Sequence, residues 1–125
     1  MMNLPQGYQT VMPYLILKDV AAFIDFTKTV FGAEEMAVYN NENGSIMHAE
    51  IQIGGSTLMM GQSTEDWGVQ NAGLYIHVED TDGTFQKALE QGATVIMPVE
   101  NKEYGRTGGV KDPQGNTWWI TQTLG

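Results

Sequence analysis

A pair of landmarks that occurs twice constrains this chain more than any other feature of its sequence. Asp19 is a good helix N-cap, and after it Val20, Phe23, Ile24, Val30 and Phe31 recur at helical spacing until Gly32 stops the run. Asp80 opens a second such segment, which carries Phe85, Ala88 and Leu89 and stops at Gly92. The two aspartates lie 61 residues apart, and so do the turn glycines Gly54 and Gly115. A period near 60 that appears at independent landmarks predicts a duplicated unit. The strands fall into place around it. The first unit reads as a strand at 11–17, a helix near 20–31, and strands at 35–39, 45–53 and 57–61. Asn43-Gly44 and Gly54-Gly55 supply the turns. The second unit repeats the order with a strand at 74–78, a helix near 80–91, and strands at 94–99, about 108–111 and 117–121. Neither unit is large enough to close a core alone. The predicted fold class is therefore α+β: two β-α-β-β-β modules that form a curved, open, mixed-sheet cup with the helices on its outer face. Module one spans about 11–61, a linker without periodicity 62–72, and module two about 73–122.

Composition removes several function classes. A chain of 125 residues is one domain by size. Its 6 Lys and Arg against 15 Asp and Glu give a net charge of −9, which argues against nucleic acid and anionic membranes as partners. The absence of Cys excludes disulfides, Cys-ligated zinc, iron–sulfur clusters and a thiol nucleophile. There is no apolar run of membrane-spanning length, and the first ten residues lack the pattern of a signal peptide. The expected location is the cytoplasm.

Four stretches carry a family resemblance: KDVAAFIDFTKTVFGA (18–33), VEDTDGTF (78–85), QGATV (91–95) and KDPQGNTW (111–118). In these the chain resembles the vicinal oxygen chelate superfamily of glyoxalases, dioxygenases and bleomycin resistance proteins. MPYL (12–15), MHAEI (47–51) and MPVE (97–100) look most like its PhnB-like branch. The resemblance implies paired β-α-β-β-β modules, usually in a homodimer. In metal-dependent members it also implies His, Glu or Gln ligands from four strands. The matching positions here hold Met12, Met59, Gly73 and Trp119. None is a hard or imidazole ligand, and a slip of one residue in either direction reaches none. No metal and no other cofactor is expected.

Strand alternation assigns the faces independently of the family. Met47, Ala49, Ile51 and Ile53 should pack on the helix, leaving His48, Glu50 and Gln52 on the cup side. Leu74, Ile76 and Val78 likewise leave Gly73, Tyr75 and His77 facing the cup, while Trp118 and Trp119 leave the last strand ambiguous. Glu50 and His48 are the candidate catalytic acid–base groups. The candidate ligand contacts are Tyr14, His48, Glu50, Met59, Tyr75, His77, Tyr104, Arg106 and Trp119. Trp67 should lid the cup or sit at a dimer interface. The primary expectation is a metal-independent small-molecule binding protein of resistance or sequestration type, taking a cationic or aromatic ligand. The alternative is a lyase, isomerase or dioxygenase-type enzyme that uses Glu50 and His48, or a displaced metal held by His48, Glu50 and His77.

Overall fold

A computed structural model describes residues 2–123. The chain forms two compact units, one running to Gln70 and the other starting at Asn71. The first contains β1 (Tyr14–Leu17), α1 (Val20–Phe31), β2 (Glu34–Asn40), β3 (Ile46–Ile53) and β4 (Ser56–Gln62). The second contains β5 (Gly73–His77), α2 (Thr81–Glu90), β6 (Thr94–Lys102), β7 (Gly105–Lys111) and β8 (Thr117–Thr123). Each unit holds an open four-stranded mixed sheet. The strand orders are β1-β4-β3-β2 and β5-β8-β7-β6, with one parallel pair in each, β1/β4 and β5/β8. The repeat is thus a repeat of topology as well as of spacing.

The caps explain why the helices begin where they do. Asp19 Oδ1 accepts from Ala22 N at 3.1 Å, and Asp80 Oδ1 accepts from Gly83 N at 3.1 Å. A second cap was not read from the sequence. Gln62, at the end of β4, accepts from Val20 N at 3.2 Å and donates to Lys18 O. Gln122 in β8 accepts from Thr81 N at 2.8 Å. In both modules the last strand therefore satisfies an orphan amide at the helix N-terminus. Gly32 ends α1 in the left-handed conformation, at φ 69°.

Alternation buries one face of each sheet. In module one, Leu15, Leu17, Ala49, Ile51 and Met60 are buried, as are Phe23 and Ile24 on α1, which packs on β3 and β4. Each large apolar side chain fully buried here contributes about 1.5–3 kcal/mol. In module two, Val110, Trp118 and Ile120 are buried, and α2 packs on β6, β7 and β8. This settles the ambiguous last strand: Trp118 is on the buried face and Trp119 is on the other.

Two sequence expectations need correction. The first strand starts at Tyr14 rather than at residue 11, and Val11 is exposed. Pro13 has no N–H to give a ladder, although its carbonyl accepts from Met59 N at 3.0 Å. Met47 and Ile53 do not pack under the helix with Ala49 and Ile51. Met47 is exposed and Ile53 half-buried, because the two ends of β3 outrun the helix that covers its middle.

Asp112 organises the turn before β8. Its carboxylate is buried and accepts from Gln114 N, Asn116 N, Asn116 Nδ2 and Trp118 Nε1. One side chain thus holds the turn and fixes the indole behind it. Residues 63–70 are likewise tied down: Ile16 and Gln70 exchange backbone hydrogen bonds at 3.1 and 2.8 Å.

Candidate functional site

The polar face of module one can be built strand by strand. Register places Tyr14, Met59, Glu50 and Ala37 in one row across β1, β4, β3 and β2. The next row is Ile16, Gly61, His48 and Tyr39. Gly61 makes the decisive gap: a Cβ there would stand 3.1 Å from the Tyr14 hydroxyl and 3.1 Å from Met47 O. Without it, Tyr14 leans over β4 and places its Oη 3.1 Å from His48 Nδ1. The Tyr14 and His48 rings stack at 5.5 Å, and Tyr39 flanks the imidazole at 5.9 Å.

His48 Nε2 lies 2.8 Å from Glu50 Oε2, and both side chains are largely buried. Both carboxylate oxygens also accept from the Tyr8 hydroxyl at 2.8 Å. An ionised carboxylate only accepts, so Nε2 carries the proton that points to Glu50. In the neutral ring Nδ1 then accepts from the Tyr14 hydroxyl. The result is one directed chain, Tyr14 to His48 to Glu50, with Tyr8 donating from the far side. The carboxylate holds the Tyr8 phenol above its ordinary range, first through the hydrogen bond and then through burial and charge repulsion.

Tyr8 was not read from the sequence, because residues 2–10 carry no strand or helix period. The segment is nevertheless anchored. Gln9 Nε2 donates to Thr57 O at 2.9 Å, and Thr57 Oγ1 donates to Gly7 O. Gln52 Nε2 joins Thr57 Oγ1 at 3.1 Å. These contacts leave Tyr8 over Glu50.

A cavity of about 800 Å³ opens beside this chain within module one. Tyr14, Met47 and Trp67 supply its apolar wall, and Asn41, Gln62 and Gln70 supply amides. Tyr14 belongs to both features: it lines the cavity and it hydrogen-bonds His48. Glu50 and His48 stand behind it rather than on the wall. Trp67 is held by a turn in which Thr64 Oγ1 accepts from Trp67 N at 3.0 Å.

The remaining candidates lie in module two. Tyr75, Tyr104 and Trp119 line a separate pocket of about 290 Å³, together with Met97 and Thr107. His77 is exposed and contacts the Tyr75 ring at 5.2 Å. Arg106 makes two bonds to Asp82, at 2.6 and 3.0 Å, and a third to Asn101 at 3.0 Å. The guanidinium holds the Asp82 carboxyl below the usual carboxylate range. Met59 sits in its row between Tyr14 and Glu50.

The residues do not fit the metal of the vicinal oxygen chelates. Met12, Met59, Gly73 and Trp119 stand where hard donors would be required. Among the described residues there is no group of three or more His, Cys, Asp or Glu that could hold an ion.

Comparison with known proteins places the chain. The family model of the glyoxalase/bleomycin resistance protein/dioxygenase superfamily matches residues 9–120, and the chain belongs to that superfamily. An uncharacterised protein of Mycobacterium bovis is 34% identical over 124 residues, which cover 90% of this chain and 82% of the relative. The fold is shared with TnmS3, an antibiotic-binding protein from Streptomyces sp. CB03234. That match has a TM-score of 0.73 at 19% identity and covers 99% of this chain and 100% of the other. A PhnB protein from Bacillus cereus shares it too, with a TM-score of 0.73 at 18% identity over 92% and 100% of the two chains. Among the described residues, no helix is long and apolar enough to cross a membrane.

Proposed function

We propose that this chain is a metal-independent small-molecule binding protein of resistance or sequestration type, which takes its ligand into the cavity of module one. The observation that carries the reading is the cavity with Tyr14 in its wall, fixed from behind by His48, Glu50 and Tyr8. A mostly apolar cleft with a few fixed polar groups suits a drug-sized molecule, and about 800 Å³ is a fitting size. The antibiotic-binding neighbour supports the reading by analogy of fold. We further place the protein in the cytoplasm and expect a homodimer, which sedimentation would test. The experiment is a thermal-shift screen of a ligand library, followed by titration of hits with and without chelator. Trp67→Ala and Tyr14→Phe should each weaken a true hit, the latter by about 0.5–1.5 kcal/mol for a lost hydrogen bond. Glu50→Gln should weaken it indirectly, by releasing His48. Hits indifferent to all three changes, or lost with chelator, would refute the assignment.

A second reading is favoured by the direction of the hydrogen-bond chain. Hydroxyl, imidazole and carboxylate stand in the order by which a base is activated and then oriented. Tyr14 Oη could accept a proton from ligand carbon while its own proton passes to His48 Nδ1. Glu50 would hold the resulting imidazolium. The step leaves a carbanion on the ligand and a neutral tyrosine, as proton exchange or isomerisation requires. Solvent deuterium entering a bound hit, abolished by Tyr14→Phe while binding persists, would establish it. Binding with no exchange leaves the first reading standing alone.

A further inference from the structure

Module two holds a site of different chemistry, and it stands independently of the reading just given. Register sets Tyr75, Trp119, Gly109 and Met97 in one row across β5, β8, β7 and β6. Gly109 is again the gap. A Cβ there would lie 2.4 Å from Trp119 Cζ3 and 2.7 Å from Cε3, so the benzo ring of Trp119 occupies the space that any other residue would fill. The indole therefore lies across β7, between Tyr75 on one side and Met97 on the other. Tyr104 comes from the turn between β6 and β7 and completes the wall, with Thr107 as its polar member. The pocket is an open cleft of about 290 Å³ in which Tyr75 and Tyr104 stay about half exposed, and it has no charged residue in its lining.

From these observations we propose that Tyr75, Tyr104 and Trp119 form an aromatic cage for a quaternary or N-methylated ammonium group. Three rings and a thioether beside a small open cleft offer the negative faces of π-systems to a cation. An ordinary apolar ligand would gain burial there but not this electrostatic term. Nothing in the cage repels a cation. The two basic residues beside Tyr104 in sequence are both paired, Arg106 with Asp82 and Asn101 and Lys102 with Glu100 at 2.8 Å. The whole chain carries a net charge of −9, which raises the local concentration of cations. The volume suits a trimethylammonium head but not a bulky polycyclic molecule.

The test compares choline with 3,3-dimethylbutan-1-ol, the uncharged molecule of the same shape, by calorimetric titration of the whole protein at constant ionic strength. Choline should bind at least about threefold more tightly than the alcohol, the margin expected when a cation meets partly exposed rings. Tyr104→Ala, at an exposed turn, should cost choline at least about fivefold and leave the melting temperature unchanged. Trp119→Leu should abolish the preference for the charged molecule. Equal binding of the two molecules would mean an apolar slot and would overturn the proposal. So would the absence of choline binding at about 10 mM, or affinity that ignores Tyr104. The module-one reading is tested by other variants and other ligands, so either can fail alone.

Discussion

At the scale of single residues, the contact between Tyr8 and Glu50 makes a prediction about pH. The carboxylate stabilises the protonated phenol, so the phenol ionises at higher pH in the folded protein than in the unfolded chain. The stabilisation is fully present below the ordinary tyrosine value of about 10 and is lost as pH rises through the raised value. Ultraviolet titration should show one tyrosine fewer at the alkaline end in Tyr8→Phe than in the parent. The stability difference between the two proteins should also shrink above about pH 10. A variant whose titration curve differs only in the ordinary range would mean that Tyr8 does not rest on Glu50. Gly61 acts at the same scale. It was legible only as the end of a strand, yet the missing Cβ is what admits the Tyr14 hydroxyl to His48.

At the scale of elements, Asp112 is the test case. Removing its carboxylate strands the indole N–H of Trp118, which is 2% exposed, together with the buried Asn116 amide. Asp112→Ala should lose about 3 kcal/mol or more in urea unfolding, the cost of buried donors left without an acceptor. Asp112→Asn keeps one oxygen and should fall between the two. A loss below about 1 kcal/mol would show that the turn forms without it. Local signals of this kind made the fold legible: caps at Asp19 and Asp80, a stop at Gly32, and alternation in the middle of β3. What escaped were contacts between segments distant in sequence. Gln62 and Gln122 reach from a last strand to a helix start, about 40 residues away in each case. Tyr8 reaches Glu50 from a stretch with no period at all. Alternation placed His48 and Glu50 together on the polar face, but only the register showed that they stand behind Tyr14.

For the molecule as a whole, a charge of −9 on 125 residues means self-repulsion in the folded state. The melting temperature should climb as sodium chloride rises from about 10 to about 200 mM, because screening relieves that repulsion over a Debye length of about 10 Å or less. A flat or falling curve would mean that ion pairs such as Arg106–Asp82 outweigh the repulsion. The corresponding rows of the two sheets carry a consequence at this scale too. Tyr14, Met59, Glu50 and Ala37 in one module stand at the addresses held by Tyr75, Trp119, Gly109 and Met97 in the other. The tyrosine is kept. Across the neighbouring strand pair the volumes are exchanged: a carboxylate beside a slim thioether in one copy, a bare backbone beside an indole in the other. Neither half can be made to resemble its sibling by one substitution, since adding a side chain at Gly109 requires taking the indole away. Two copies of one topology have thus become mutually exclusive solutions to filling the same floor, and a single chain can present both.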